Sequence, residues 1–377
     1  MSKESATHSS AATKPVANRA EREKHNRELK KLHISPLWEV YRNVLTREPV
    51  VREIPYLWPW STVRPHLLRA GELITTEEAE RRALMLVNPG NPSGIGATAT
   101  LYAAAQLILP GEIARAHRHS PAALRFIIEG SGAYTCVEGE KIVMSPGDMI
   151  LTPSMIWHDH GSEATVPVMW LDGLDIPLIE SLRVMFLEEF TLQAQKLTKP
   201  PAYSEKLYGR AFFPAGMGPA AEGAHSPLWA YRWSEAREAL EALRRSAAPD
   251  PANGYVLRYA NPANGGDVFP TMDCRLQLIP KGDHTTAHRH TVCSIYHVAE
   301  GSGYSVLDGI QFDWTKGDTF AVPLWCWHEH AAPKGDAVLF SFTDLPVISR
   351  LGLMRSQPFT ERDGFQKVNA SFGNIPR

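Results

Sequence analysis

The stretches GEIARAHRHS (111–120), FIIEGSGAY (126–134) and SPGDMILTPSMIWHDH (145–160) decide the architecture, because the chain contains them twice. The second copy reads GDHTTAHRHT (282–291), YHVAEGSGYS (296–305) and TKGDTFAVPLWCWHEH (315–330). His117 and His119 match His288 and His290 at an offset of 171 residues. Gly147, Pro153, His158 and His160 match Gly317, Pro323, His328 and His330 at an offset of 170. A near-constant offset over so many positions identifies a duplicated domain. Around these motifs lie short runs of strand length: TLYAAAQLIL (100–109), LRFIIEGSGAYTCV (124–137), KIVMSPGDMILTP (141–153) and VPVMWLDGLDIP (166–177). Gly-containing turns separate them, and the same style returns from Gly254 to about Ile348.

The flanking segments read differently. Residues 36–87 are expected to be helical: Trp38, Tyr41, Val44 and Leu45 recur at helical spacing. Thr75 and Glu78 form a capping box opening the helix TEEAERRALMLV (76–87). NPGNPSGIGAT (88–98) then breaks the chain. A helical connector is expected over IESLRVMFLEEFTLQAQK (179–196) and SEAREALEALRRS (234–246), the latter opened by a Ser cap. The expected layout is a flexible arm (1–35), a helical region (36–98), a first barrel (99–177), a helical connector (178–250), a second barrel (251–348) and a tail (349–377). Within the arm, residues 1–31 carry eight Lys/Arg against four Glu, which reads as a solvated, partly disordered segment becoming helical near Ala20.

Composition bounds the possibilities. With 44% hydrophobic and 21% charged residues in 377, the chain is neither disordered, collagenous nor a coiled coil, and its length suits two domains. A net charge of -2 and a pI near 6.7 provide no basic field for nucleic acid or anionic membrane. Four dispersed cysteines form no CxxC pair and read as reduced thiols. No apolar run approaches the roughly 20 residues of a membrane helix, and the N-terminus lacks the apolar centre of a secretion signal. A cytoplasmic protein is expected.

Of 15 histidines, 11 fall between His117 and His330. On a strand, residues i and i+2 share a face, so His117 and His119 can reach one point while His158 arrives from a later strand. Three neutral imidazoles with open positions make a metal site that accepts substrate. A solvated H-x-H pair without metal is the plainer alternative, and the repeated spacing argues against it. His288, His290 and His328 share that spacing.

Gly111-x5-His117-x-His119, then Gly147-x5-Pro153 and His158, resemble the cupin superfamily. The resemblance covers both copies and implies a mainly β bicupin: two jelly-roll (double-stranded β-helix) barrels with a helical N-terminal arm and connector. Many cupins carry a metal-binding Glu four or five residues after the second His. Here those places hold Ala123 and Leu124, and Ser294 and Ile295 in the second copy. That departure argues against manganese oxalate oxidases and decarboxylases. It suits Fe(II) with room for a chelating substrate and O2.

AHRHSPAALRFIIEG (116–130), PSMIWHDHG (153–161), WLDG (170–173) and the second WHEH resemble the gentisate 1,2-dioxygenases, a group that includes salicylate and 1-hydroxy-2-naphthoate dioxygenases. The resemblance runs from about Pro36 to Gln357. It implies ring opening of gentisate by O2 between the carboxyl-bearing and adjacent hydroxyl-bearing carbons to give maleylpyruvate, in a homotetramer. Salicylate or 1-hydroxy-2-naphthoate are alternative substrates, and a bicupin that binds a small molecule without catalysis is the alternative class.

Neighbouring residues carry further expectations, each with a structural counterpart. Arg125, six residues after His119, either binds a substrate carboxylate or pairs with a buried acid. His160 either handles a substrate proton or supports the triad. Asp172 could orient His160, take a proton, or accept a structural hydrogen bond. Tyr102, Ala104 and Gln106 share a strand face: Tyr102 as pocket or core, Gln106 toward substrate or another polar partner. By resemblance Arg81 reaches the substrate carboxylate, with Ala83 beside it; by spacing alone it is a surface ion pair on a helix. In the second copy Tyr296 replaces Arg125, leaving no matching cation, and that copy reads more readily as a builder of interfaces than as a second working centre.

Overall fold

A computed structural model describes residues 18–209 and 224–373, so the part of the arm ahead of residue 18 lies outside the described residues. The chain divides into two units after Val50. The first carries helices Arg19–Lys31 and Leu37–Val44. Asn18 caps the former by accepting the Ala20 N–H at 3.1 Å. Trp38, Tyr41 and Val44 recur as expected on the latter, all exposed.

The second unit holds two barrels of paired sheets, antiparallel except where Ala370–Ser371 joins Ile310–Thr315 in parallel. In the first barrel one sheet runs, in spatial order, Ala230–Tyr231, Met149–Thr152, Ala123–Glu129, Val168–Leu174, Tyr102–Ile108 and Arg82–Met85. The other runs Leu187–Glu189, Ile113–His119, His158–Ser162, Ala133–Val137 and Glu140–Val143. The second barrel repeats this plan, with six strands in each sheet. Among the described residues no helix is long and apolar enough to cross a membrane.

The near-continuous apolar runs are explained by strands buried on both faces. Ile127, Ile150 and Trp170 meet Ala133, Val137 and Ile142 of the opposite sheet inside the first barrel. On the other face of the same strands, Leu124, Phe126 and Leu171 pack against Leu276, Phe340 and Phe342 of the second barrel. Phe126 stacks on Phe340 with ring centroids 4.2 Å apart. Gly173 permits this contact, since a Cβ there would lie 2.8 Å from the Phe342 ring.

The two halves also exchange elements. Strand Tyr56–Trp58, ahead of the first barrel, pairs with Thr319–Val322 of the second. Ala230–Tyr231, ahead of the second, pairs with Met149–Thr152 of the first. Each is followed by a helix, Trp60–Leu73 or Trp233–Ser246, that begins on the Gly-Asp turn of the opposite barrel. Asp318 accepts the Trp60 N–H at 2.7 Å, and Asp148 accepts the Trp233 N–H at 3.0 Å. A second reciprocal contact joins the strand ends. Thr271 donates to Asp175 at 2.5 Å and Thr100 to Asp344 at 2.6 Å, each across the barrel boundary.

Three local expectations are corrected. The capping box of Thr75 and Glu78 forms, but its helix is only Thr76–Ala79. Glu80 turns at φ 52°, and Arg82–Met85 pairs with the edge of Tyr102–Ile108, which offers hydrogen bonds a continued helix would leave unused. Residues 179–196 are not one helix. Helix Ile176–Ser181 stops, and Leu187–Glu189 pairs with His117–His119 along an otherwise open sheet edge. Ser234 is no cap, because the connector helix starts one residue earlier, at Trp233, where Asp148 supplies the acceptor.

Candidate metal centre and active site

His117 and His119 project from one strand, and register places His158 of the neighbouring strand opposite His117. One ring nitrogen from each of the three lies within 4.8 Å of the others. Two tautomers are set by the backbone: His119 Nδ1 donates to the Pro121 carbonyl at 2.8 Å, and His158 Nδ1 to that of Ile156 at 2.9 Å. Each therefore presents Nε2 as a lone pair. His158 Nε2 is buried without a hydrogen-bond partner, an expensive arrangement that a bound cation would relieve.

Electrostatics keep the triad neutral. Burial, then the charge of Arg81, holds His117 down to about 2. Burial holds His119 at about 4 and His158 well below its ordinary value. Neutral imidazoles are the form a divalent metal needs. The donor set fits a metal, and its lack of a carboxylate leaves the metal's charge unneutralised.

Two guanidiniums provide further positive charge. Arg81 sits at the turn after Ala79, not on a helix face, and donates to the Arg115 carbonyl at 2.8 Å. Its Nη2 is 3.3 Å from both ring nitrogens of His117. Arg81 is therefore at the triad and not in a surface ion pair. Burial, then repulsion from Arg125, pulls its pKa down to about 10. Arg125 points into the barrel, donates to Thr152 Oγ1 at 2.8 Å, and lies 3.5 Å from Asp172 Oδ1 through Nε. That separation is too long for a hydrogen bond. Burial raises Asp172 to about 6 against the opposing pull of Arg125.

Asp172 accepts from Trp170 Nε1 at 2.9 Å. It does not orient His160. That task falls to Thr135, whose Oγ1 is 2.9 Å from His160 Nδ1. Sequence reading missed Thr135, although the repeat carries the signal: Ser305 meets His330 Nδ1 at 2.8 Å in the second barrel. His160 is fully buried, its ring 5.9 Å from that of His158, and its Nε2 has no hydrogen-bond partner. Ala104 lies in register with Asp172 and Gln106 with Trp170, so Tyr102, Ala104 and Gln106 share the Arg125 face. Burial, then the Asp172 charge, pushes the Tyr102 hydroxyl upward. Ala83 is in register with Gln106.

The second triad repeats the first. Nitrogens of His288, His290 and His328 also lie within 4.8 Å of one another. His290 Nδ1 lies 3.1 Å from the Val292 carbonyl and 3.3 Å from the Val292 N–H, and His328 Nδ1 donates to the Cys326 carbonyl at 3.0 Å. Tyr296 stands at the Arg125 position, but the expectation of a missing cation is only locally right. Arg275 enters the same sheet face from another strand. Of the remaining histidines, His297 is buried between the barrels against Phe126, and His284 Nε2 lies 3.2 Å from Glu329 Oε1.

Comparison with known proteins agrees with this geometry. The cupin domain family matches residues 105–174 and again 275–343. The chain is 39% identical over 342 residues to a gentisate 1,2-dioxygenase of Aquipseudomonas alcaligenes, covering 91% of this chain and 97% of the relative. It is 38% identical to a 5-aminosalicylate 1,2-dioxygenase of Comamonas, covering 92% of each. The solved salicylate 1,2-dioxygenase of Pseudoaminobacter salicylatoxidans, an adduct with gentisate, superposes with a TM-score of 0.84 at 32% identity. That match covers 92% of this chain and 96% of the other.

Proposed function

This chain belongs to the gentisate 1,2-dioxygenase family of ring-cleaving cupin enzymes, and from that premise we propose that its first barrel opens gentisate with O2 to give maleylpyruvate. Its metal is Fe(II), held by His117, His119 and His158. One observation carries the reading: a carboxylate-free neutral triad stands beside two guanidiniums, Arg81 at 3.3 Å from His117 and Arg125, which lies 3.5 Å from Asp172 without a hydrogen bond to it. Such a surplus of buried positive charge calls for an anionic ligand.

When bound, Fe(II) supplies Lewis acidity and electron exchange with O2. Arg81 and Arg125 take the substrate carboxylate, and their planar N–H donors fix the ring orientation. Asp172 limits the travel of Arg125, while Thr152 restrains its far end. Tyr102, Ala104 and Gln106 line the ring's side of the pocket. His160, neutral and held by Thr135, accepts the ring hydroxyl proton at Nε2 and returns it to the product. Expulsion of water by the apolar interior strengthens each of these interactions.

A hydroxyl para to the first donates electrons to the ring and eases its oxidation, which favours gentisate over salicylate. An amino group at that place would act in the same way, and one relative is a 5-aminosalicylate 1,2-dioxygenase. Exposed apolar side chains beyond each barrel, Phe186 and Leu187 and then Leu351 and Leu353, support self-association, which we take to be a homotetramer in the cytoplasm. The test is anaerobic iron reconstitution followed by an oxygen-electrode panel of gentisate, 5-aminosalicylate, salicylate and 1-hydroxy-2-naphthoate. Equimolar O2 uptake is expected, with the highest kcat/KM on gentisate. No uptake with any of the four overturns the reading.

A further inference from the structure

The inward polar groups of the second barrel are rearranged, not lost. In the first barrel the cross-strand row is Ala104, Asp172, Arg125. In the second the row is Arg275, Ser341, Tyr296. The cation has moved two strands along one sheet face, to the place of Ala104. Its acid has moved with it. Arg275 Nε donates to Asp273 Oδ2 at 2.6 Å, and Thr343 Oγ1 donates to the other oxygen of Asp273.

That arrangement differs from a neutralised remnant. Asp273 is wholly buried, whereas the Arg275 side chain keeps 35% of its surface accessible. A guanidinium has five N–H donors, and holding it by Nε aims the group without consuming it. Arg275 also shares its row with Tyr296, across Ser341. Tyr296, on the same sheet face, has its ring 5.0 Å from that of His330, which follows the ligand His328 by two residues. The triad itself is gathered as tightly as the first, and the bond from His328 Nδ1 to the Cys326 carbonyl directs its Nε2.

The lining narrows the ligand. Tyr296 and Phe320 stack with centroids 5.0 Å apart, filling the places that Arg125 and Ile150 hold in the first barrel. Buried hydroxyls of Ser294, Ser341 and Thr343 lie on the rows around Arg275. Bulkier aromatic filling and more hydroxyls leave a site better matched to a short polar acid than to an aromatic ring.

We propose that the second barrel is a second ligand centre, in which His288, His290 and His328 hold a divalent metal and Arg275 receives the carboxylate of a short aliphatic acid beside it. Cobalt(II) loading tests the metal half. The wild-type chain binds two ions, while His117→Ala/His119→Ala and His288→Ala/His328→Ala each bind one. Saturation of the wild type at one ion overturns the proposal without reference to any variant's folding. In the His117→Ala/His119→Ala chain the remaining cobalt reports the second barrel alone. Pyruvate shifts its visible spectrum, and adding Arg275→Gln raises the half-saturating pyruvate concentration at least tenfold. An unshifted spectrum at saturating pyruvate, or an equal response in Arg275→Gln, overturns the carboxylate half.

Discussion

Thr135 Oγ1 lies 2.9 Å from His160 Nδ1, and this bond fixes the orientation of a fully buried imidazole whose other nitrogen has no hydrogen-bond partner. Neither residue belongs to the triad, yet both stand on strands that pair with each other, in register. A hydroxyl at position 135 therefore determines how His160 meets the substrate, while the metal ligands stay independent of it.

Thr135→Val should leave iron content unchanged and lower kcat on gentisate by roughly 10–100-fold, the usual cost of losing an outer orienting partner. Thr135→Ser should restore most of the loss. Metal analysis beside steady-state kinetics checks it. Iron loss in Thr135→Val, or unchanged kcat, would show that His160 is positioned by something else.

The two arginines should separate in their effects. Arg81 makes its described protein contacts with carbonyls and with His117, so Arg81→Gln should raise the gentisate KM by about 10–100-fold, matching about 1.5–3 kcal/mol for a charged hydrogen bond. Its melting temperature should stay near wild type. Arg125→Gln also strips Asp172 of its nearest cation and leaves the buried carboxylate only the Trp170 N–H, which costs about 3–5 kcal/mol of stability. Arg125→Gln/Asp172→Asn should recover stability but not substrate affinity. Denaturant titration and kinetics on the three variants decide it.

What the sequence made legible follows from what spacing can encode. H-x-H on a strand and a third His on its neighbour carry their own geometry, so the triads and the duplicated barrels could be read directly. Thr135 and Arg275 act across strands: the repeat offset aligns Arg275 with Ala104, but only the register reveals that it shares one row with Tyr296. Residues 179–196 have helical spacing, but an open sheet edge beside His117 outcompetes the helix by pairing with Leu187–Glu189. Spacing alone puts Arg81 on a helix face for a related reason, whereas the helix ends at Ala79 and the strand Arg82–Met85 follows.

The Gly-Asp turns should prove to be structural joints between the halves. Gly317 has φ 95°, and a Cβ there would lie 2.7 Å from the Trp60 ring. Gly317→Ala should therefore cost about 2–4 kcal/mol, combining left-handed strain with overpacking. Asp318→Ala, which removes the acceptor of the Trp60 N–H, should cost about 0.5–2 kcal/mol, as for a lost helix cap. Trp60→Leu should relieve part of the Gly317→Ala penalty. Additive losses in that pair would refute the contact as its cause.

The reciprocal clasp of Asp175 and Asp344 sets a pH dependence of stability. Burial raises each carboxyl from its ordinary 3.8 to about 6, outweighing the hydrogen bonds from Thr271 and Thr100 that favour the charged form. A raised pKa means the folded chain binds the proton more tightly than the unfolded one. Their contribution is therefore fully present below about pH 4, and is lost as pH rises toward about 6. Asp175→Asn/Asp344→Asn removes both titrations while keeping the shape of the side chains. The stability of the wild type relative to this variant should fall between about pH 4 and 6 and stay level above it. Melting curves of both proteins across that range supply the measurement. A relative stability that rises with pH would mean that the threonine and backbone donors, and not burial, control these carboxyls.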